Sequence, residues 1–149
     1  MGKNVKGIDP KRLGELNAAL ELFFFGYRRF TARPDALLRR RGLGRVHHRV
    51  LYFIGHNSGI SVNGLLAKLG VTKQALNAPL RELIALKLVE AHAGATDRRQ
   101  KRLHLTPKGL VLEEQLSGGQ RQALEAIFKT TGKQAEGHWR AVMKAIAHK

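Results

Sequence analysis

The sequence predicts a mainly α-helical fold in which a helix-turn-helix is followed by a small β-hairpin and flanked by further helices. Apolar residues recur at helical spacing along most of the 149 residues, and residues 101–105 alternate as a strand does. Lys and Arg number 27 against 11 Asp and Glu, a formal net charge of +16. This excess favours a polyanionic partner, with nucleic acid ahead of an anionic membrane.

An apolar seam predicts the first long helix. Its residues are spaced three and four apart: Leu13, Leu16, Leu20, Phe23, Tyr27 and Phe30. Leu22, Phe24 and Phe25 widen the apolar surface beyond one stripe. A helix this apolar needs more cover than a small domain usually supplies, so we expect a second chain over it. The alternative is a core helix that needs no partner.

One proline and three consecutive arginines predict where the first helical segment ends. Pro34 is expected to restart the helix, because proline suits a first helical turn. Arg39-Arg40-Arg41 should then end the helix before Gly42, since cations interact favourably with a helix C-terminus.

The next helix is predicted over residues 46–56. Its inward side chains should be Val46, Val50, Phe53 and Ile54. Adjacent side chains such as His47 and His48 point about 100° apart on a helix, so they do not chelate one ion. We therefore predict neither a metal site nor a cofactor.

Two capping residues define the helix-turn-helix. Ile60 is expected to form a one-residue bridge to the hairpin, and Ser61 to cap a short helix that ends at Gly70. Thr72 is a good N-cap for the second helix. The spacing from Ser61 to Thr72 gives a helix-turn-helix that presents its second helix.

The second helix carries the predicted base contacts. Its inward stripe is Leu76, Leu80, Leu83, Ile84 and Leu86. Gln and Asn can pair bidentately with adenine, and Lys and Arg can contact guanine or phosphate. We therefore predict DNA contacts at the capping residue and outside the stripe, at Thr72, Lys73, Gln74, Asn77 and Arg81. The alternative is an ordinary solvated helix face.

Pro79 lies well inside this second helix. A proline there loses the hydrogen bond to Ala75 and clashes with its carbonyl, at a cost of ~3 kcal/mol or more unless the helix kinks. Ala78 beside it has no polar group to offer a base.

A β-hairpin with an arginine-rich tip follows. Residues 88–92 and 101–105 are the predicted strands, with Gly94-Ala95-Thr96 between them. Leu103 and Leu105 should share one face, and Arg102 and His104 the other. A narrow minor groove attracts inserted arginine, so we predict DNA contacts at Asp97, Arg98, Arg99 and Lys101.

Three residues of the tip are expected to play different roles in DNA binding. Strand alternation would turn Arg98 and Arg99 to opposite faces, one entering the minor groove while the other meets phosphate. Asp97 should hold an arginine in place through a charge-assisted bond. The alternative is a solvated loop that provides only diffuse attraction.

These residues resemble a known family. Asp97-x-Arg99-x-x-x-x-x-Leu105-Thr106-x-x-Gly109 resembles the wing signature of MarR-type winged-helix regulators, and residues 42–109 as a whole are similar to that family. The resemblance implies a mainly α, winged helix-turn-helix fold with a small β-hairpin wing, flanked by N- and C-terminal dimerisation helices. It implies a homodimer that binds double-stranded DNA as a repressor of palindromic operators.

The resemblance also implies release of DNA by a small aromatic or anionic effector, which enters a cleft between the dimerisation helices and the DNA-binding lobe. The candidate lining residues are Phe24, Tyr27, Arg28, His47 and Tyr52. A core role for these aromatic side chains is the alternative.

The C-terminal part is predicted to be helical with one interruption. Ser117-Gly118-Gly119 should break or bend a helix that begins after Gly109. The last helix is predicted from a stripe at helical spacing: Trp139, Val142, Met143 and Ile146. We divide the chain into a dimerisation segment (1–41), a DNA-binding lobe (42–109) and a second dimerisation segment (110–149).

Composition excludes several classes. There is no cysteine, so disulfides and Cys-ligated zinc are excluded. The chain has no apolar run as long as a membrane span and no signal peptide pattern, so we expect a cytoplasmic protein. Ser, His and acidic residues form no known catalytic motif, so we do not expect an enzyme. The alternatives to the regulator are an RNA-binding or protein-interaction winged helix, and a sequence-indifferent DNA binder.

Overall fold

A computed structural model describes residues 7–148, so residues 1–6 and Lys149 of the two predicted dimerisation segments lie outside the described part. The described chain is mainly helical, with one small antiparallel sheet, as predicted. Its elements in order are α1 (Pro10–Arg40), α2 (Arg45–Gly55), β1 (Ile60–Ser61), α3 (Val62–Leu69), α4 (Lys73–Ala85), β2 (Val89–Ala93), β3 (Lys101–Leu105), α5 (Pro107–Thr131) and α6 (Lys133–Ala147).

The core lies where α2 meets α3, α4, the hairpin and the first half of α5. Its fully buried side chains include Leu51, Leu65, Leu83, Leu103 and Leu112. On α2 the buried face differs in part from the prediction. Val50 and Ile54 are buried as expected, but Leu51 and His47 take the places expected for Phe53 and Val46, which are half-buried.

The predicted caps of the helix-turn-helix are confirmed. Ser61 Oγ accepts a hydrogen bond from the backbone N–H of Gly64 at 3.0 Å, and Thr72 Oγ1 accepts one from Ala75 at 3.2 Å. Gly70 ends α3 in the left-handed conformation with φ 64°. Each cap satisfies a backbone donor that the first helical turn leaves unpaired, so α3 and α4 begin where the sequence predicts.

Proline inside the helix interrupts neither α1 nor α4. The prediction that Pro34 restarts a helix is wrong, because α1 continues through it to Arg40. Pro34 cannot donate to the carbonyl of Phe30, and the side-chain amide of Gln120 donates to that carbonyl instead, at 3.4 Å. In α4 the helix likewise continues through Pro79.

The expected break at Ser117-Gly118-Gly119 is also wrong. α5 runs without interruption from Pro107 to Thr131. Ser117 and Gly118 are buried, and Ser117 Oγ lies 2.9 Å from Nε2 of His48 on α2. Tertiary packing therefore outweighs the low helix propensity of the two glycines.

The sheet has the strand order β1-β3-β2. Ile60 pairs with Leu103 in β1–β3, and Val89 pairs with Leu105 in β2–β3. β1 is two residues long, one more than the predicted bridge. Leu103 is buried and Arg102 is exposed, which confirms the predicted alternation of β3.

The base of the hairpin is locked to the end of α4. Thr106 Oγ1 donates to the carbonyl of Lys87 at 2.6 Å and also accepts from the N–H of Gly109 at 3.1 Å. Gly109 lies against the carbonyl oxygen of Leu88, where a Cβ atom would overlap it. The Leu-Thr-x-x-Gly part of the motif thus fixes the angle between α4, the hairpin and α5.

Candidate nucleic-acid interface and adjoining cleft

α4 presents one polar face to solvent. Leu76 and Leu83, seven residues apart, are fully buried and anchor the opposite face. Ile84 and Leu86, which the sequence placed on the buried stripe, are 38% and 48% exposed. The exposed face carries the predicted contact residues Lys73, Gln74, Asn77 and Arg81.

The charges of this face are not neutralised. In the described part of the chain, neither Lys73 nor Arg81 forms an ion pair. Glu82, the acidic residue next to Arg81, is instead 3.0 Å from His47 of α2. The hydroxyl of Thr72 accepts a hydrogen bond in the cap, so its O–H donor, its second lone pair and its methyl group remain available to DNA.

The wing tip is a turn organised by Asp97. Its Oδ1 accepts a hydrogen bond from the backbone N–H of Arg99 at 2.9 Å, and the carbonyl of Asp97 accepts one from Gln100 at 3.1 Å. Gly94 closes the hairpin by donating to the carbonyl of Gln100 at 2.7 Å. The four predicted contact residues, Asp97, Arg98, Arg99 and Lys101, are all exposed at this tip.

Two predictions about the tip are wrong. Asp97 forms no ion pair with an arginine side chain among residues 7–148; its Oδ1 accepts a hydrogen bond from the backbone of the turn instead. Arg98 and Arg99 lie in that turn and outside both strands, so strand alternation does not set their directions. Arg102, which was not among the predicted DNA contacts, is an exposed side chain whose Nη1 donates to the carbonyl of Gly59 at 3.4 Å.

His47 does not line the cleft that it was nominated for. It is 8% exposed, and its Nδ1 accepts a hydrogen bond from the backbone N–H of Gly44 at 3.0 Å. The other ring nitrogen, Nε2, therefore carries the proton and donates to Glu82 at 3.0 Å. His47 joins α2 to α4 because it belongs to the inward face of α2, together with Val50, Leu51 and Ile54.

A cleft of about 290 Å³ lies between α1, α2 and α5. Aromatic side chains form much of its wall: Tyr27, Phe30, Tyr52 and Phe53. Tyr27 and Tyr52 were predicted to line such a cleft. The nominated Phe24 and Arg28 do not line it, and Phe24 is 61% exposed with its ring edge-to-face against Phe25.

The cleft contains one arginine that is paired and one that is not. Arg45 Nη2 donates to Asp35 Oδ2 at 2.7 Å, and the guanidinium lies 5.4 Å from the centre of the Tyr27 ring. This hydrogen bond and the charge of Asp35 raise the pKa of Arg45. Arg49 forms no ion pair among the described residues, so it is available to an anion.

His48 lies deeper in the same cleft. Its Nε2 is 2.9 Å from Ser117 Oγ of α5. Burial lowers the pKa of His48, and the negative charge of Glu113 offsets only part of this effect. At neutral pH the lowered pKa of His48 favours the neutral imidazole, which contributes a hydrogen bond instead of a charge.

Three residues of the cleft were not predicted from the sequence, although a signal was present: Arg45, His48 and Arg49. Together with Tyr52 they follow the i, i+3, i+4, i+7 spacing of one face of α2, opposite the buried face. A cationic and aromatic stripe on a helix that also has a buried stripe would have pointed to this cleft.

Comparison with known proteins identifies the family. A family model described as MarR family matches residues 41–100. The HTH-type transcriptional regulator PetP of Rhodobacter capsulatus is 46% identical over 132 residues, which cover 89% of this chain and 80% of that protein. The chain belongs to the MarR family of transcriptional regulators. The predicted resemblance is thereby confirmed, and so is the expectation that the chain is a regulator and not an enzyme.

Solved structures share the MarR winged-helix fold. Streptococcus pneumoniae FabT in complex with DNA is 17% identical, with a TM-score of 0.74 over 93% of this chain and 95% of that chain. A Staphylococcus aureus MarR in complex with salicylate and kanamycin is 21% identical, with a TM-score of 0.71 over 92% and 93% of the two chains. Across residues 7–148, no helix has the length and apolar character needed to cross a membrane.

Proposed function

We propose that this MarR-family protein is a homodimeric repressor that binds palindromic double-stranded DNA and releases it when a small aromatic anion binds. The observation that carries the proposal is the exposed polar face of α4, which lies on a helix fixed from behind by buried leucines and has unpaired cations. A formal net charge of +16 supports a polyanionic partner.

Base reading is assigned to α4. Gln74 and Asn77 can each pair bidentately with adenine, while Lys73 and Arg81 can reach guanine or phosphate. All four side chains are exposed; Lys73, Gln74 and Asn77 project from the first two turns of a capped helix, and Arg81 lies one turn further along. The N-terminal residues of a recognition helix are the ones that reach base edges.

Backbone and minor-groove contact is assigned to the wing. Its tip presents Arg98, Arg99 and Lys101, and Asp97 sets the turn from which they project. Arginine at such a tip suits a narrow, strongly negative minor groove. Under this proposal Asp97 acts on DNA through Arg99, by fixing the backbone that carries it.

Dimerisation is assigned to segments 1–41 and 110–149. Exposed apolar side chains cover both α1 and α6, with Leu20 at 68%, Phe23 at 53% and Trp139 at 43%. Phe23 and Trp139 also line an apolar groove of about 420 Å³. A soluble chain rarely leaves this much apolar surface open to water, so a second copy is the proposed cover. Static light scattering at micromolar concentration should give twice the 16.6 kDa mass of one chain; a monomer would contradict this assignment.

The cleft between α1, α2 and α5 is the proposed effector site. Its aromatic walls suit a planar ring. Arg45 is already paired with Asp35, so Arg49 is the arginine that can bind a carboxylate. Salicylate is a suitable probe. Calorimetry should show binding to the wild type and a clear loss in Arg49→Gln, whereas Arg39→Gln, an exposed arginine outside the cleft, should bind as the wild type does. Equal binding by all three would argue against this site.

Sequencing of genomic DNA fragments selected by the purified protein tests the proposal as a whole. The enriched fragments should share an inverted repeat whose half-sites are about one helical turn apart, ~34–36 Å. Fragments without a common sequence would indicate a sequence-indifferent binder. Preference for RNA would indicate an RNA-binding winged helix, and binding to neither nucleic acid would indicate a protein-interaction winged helix.

A further inference from the structure

A basic groove runs between α1 and α5, beside the effector cleft. Its cavity of about 540 Å³ is lined by Arg33, Ala36, Leu37, Arg40, Arg41 and Gln115. An adjoining cavity of about 400 Å³ shares Arg33 and Gln115 and adds Arg29. Within the described part of the chain, no carboxylate lines either cavity.

The four arginines of this groove lack the carboxylate partners that four other described arginines have. Ion pairs to carboxylates are formed by Arg12, Arg45, Arg121 and Arg140. No such pair among residues 7–148 involves a groove arginine. Arg29, Arg33 and Arg40 are four and seven residues apart on α1, so they lie near one face and repel one another. An anion between them would relieve this repulsion.

We propose that the α1–α5 groove is a phosphate-binding site. The planar guanidinium groups of Arg33 and Arg40 can each grip phosphate oxygens through two parallel hydrogen bonds. The amide of Gln115 on the facing helix offers a further donor. Four cations spread along more than three helical turns match a ligand that carries several phosphate groups better than they match a single carboxylate.

Two sources can supply such phosphates: the backbone of bound DNA or a free oligophosphate. The groove arginine Arg41 lies beside Leu88 and Lys108, at the end of α4 that is opposite to Lys73. α4 has 13 residues, so its two ends are ~18 Å apart. A phosphate in the groove is therefore distinct from those next to the bases that Lys73 and Gln74 would read. The DNA source rests on the proposed function, whereas the free oligophosphate does not.

The test compares two full-length variants of equal charge. Arg33→Gln/Arg40→Gln removes two groove cations, and Arg39→Gln/Lys144→Gln removes two exposed cations that do not line the groove. Calorimetry with inorganic tripolyphosphate at fixed ionic strength tests the free ligand. DNA titrations over a range of salt concentrations test whether the groove binds phosphates of the DNA backbone. Arg33→Lys/Arg40→Lys keeps the charge and carries the test if the glutamine variant does not fold.

The proposal expects one of two results. With a free oligophosphate, Arg33→Gln/Arg40→Gln binds tripolyphosphate about tenfold or more weakly, while the control stays within about twofold of the wild type. With DNA phosphates, the groove variant lowers the slope of log affinity against log salt by ~1.8 more than the control does, ~0.9 for each contact. If the groove and control variants match each other in both assays, the arginines act only as diffuse charge and the proposal is wrong. A wild type that binds tripolyphosphate in the groove but no DNA would overturn the proposed function alone.

Discussion

Gly109 is the residue whose size is most tightly limited at the base of the wing. Its Cα faces the carbonyl oxygen of Leu88, which belongs to a backbone that cannot easily move away. Gly109→Ala should therefore lower the free energy of unfolding by about 1–3 kcal/mol or more. Gly14→Ala, at an exposed α1 position with no atom near the added Cβ, should raise it by up to ~1 kcal/mol. Urea unfolding followed by circular dichroism measures both, and equal effects would contradict this account of Gly109.

Gln74 is the residue that tests base reading most directly. Gln74→Ala should lose ~1–3 kcal/mol of binding free energy on the preferred duplex and much less on random DNA, since a base contact carries sequence information. Gln122→Ala, an exposed glutamine on α5, should leave both affinities unchanged. Fluorescence anisotropy on the two duplexes provides the comparison. An equal loss on both would mean that Gln74 touches only the DNA backbone.

At the residue scale, short-range chemistry was predictable and long-range partners were not. The caps by Ser61 and Thr72 follow from residue types and from hydrogen bonds across three residues. The partner of His47 is Glu82, 35 residues away, and no local pattern identifies it. The choice between Phe53 and Leu51 for the core likewise depends on how α2 rotates against α3 and α4.

The wing is the element whose structure differs most from the prediction, since Asp97 binds a backbone N–H and not an arginine side chain. This difference allows the roles of order and charge in DNA binding to be tested separately. Asp97 caps a backbone N–H, so Asp97→Ala should weaken DNA binding even though it makes the protein more positive. Asp97→Asn makes the same change in charge but keeps an acceptor oxygen, and it should bind at least as tightly as the wild type. Arg99→Lys should bind less tightly, because lysine keeps the charge but lacks the planar fork.

A salt titration of these three variants on one duplex separates the effect of an ordered wing turn on DNA binding from the effect of the wing's charge. If Asp97→Ala and Asp97→Asn both bind more tightly than the wild type, and Arg99→Lys binds equally well, the wing contributes only diffuse attraction.

The contact between α2 and α5 should make stability depend on pH. Burial lowers the pKa of His48, so near pH 6 the unfolded state binds more protons than the folded state. The stabilising contribution is complete above the ordinary histidine pKa of about 6.5 and is lost as the pH falls from there towards the lower folded pKa. The free energy of unfolding of His48→Gln should decrease less than that of the wild type between about pH 7.5 and 5.5.

His138→Gln is the matched control, since His138 is exposed on α6. It should follow the wild type over the same pH range in urea unfolding experiments. If His48→Gln lost as much stability on acidification as the control, burial of His48 would not be the cause.

At the scale of elements, helix boundaries set by caps were predicted well, but continuity through poor helix formers was not. α1 passes Pro34 because Gln120, 86 positions later in the sequence, reaches the carbonyl that proline leaves unpaired. α5 passes Gly118 because Leu112 and Leu116 of the same helix are buried in the core and hold it in place. Propensity describes an isolated helix, whereas these two helices are held by their contacts.

At the scale of the whole molecule, the separate locations of unpaired cations and exposed apolar side chains account for the proposed architecture. Unpaired cations lie on α4 and the wing, while open apolar side chains lie on α1 and α6. The seam on the first helix was predictable from spacing alone, since Leu20 and Phe23 remain exposed in a single chain. The cleft was predicted less well, because it forms only where α1, α2 and α5 meet.

The proposed function requires that the chain recognise the base sequence of a palindromic, double-stranded DNA site. The most direct measurement is competition, at physiological salt and at a second salt concentration, between the selected palindrome, a scrambled duplex of the same length and the corresponding RNA duplex. The palindrome should bind about 10³-fold or more tightly than the scrambled duplex, and the advantage should persist at both salt concentrations. Equal affinity for the palindrome and the scrambled duplex, or tighter binding of the RNA, would contradict the claim.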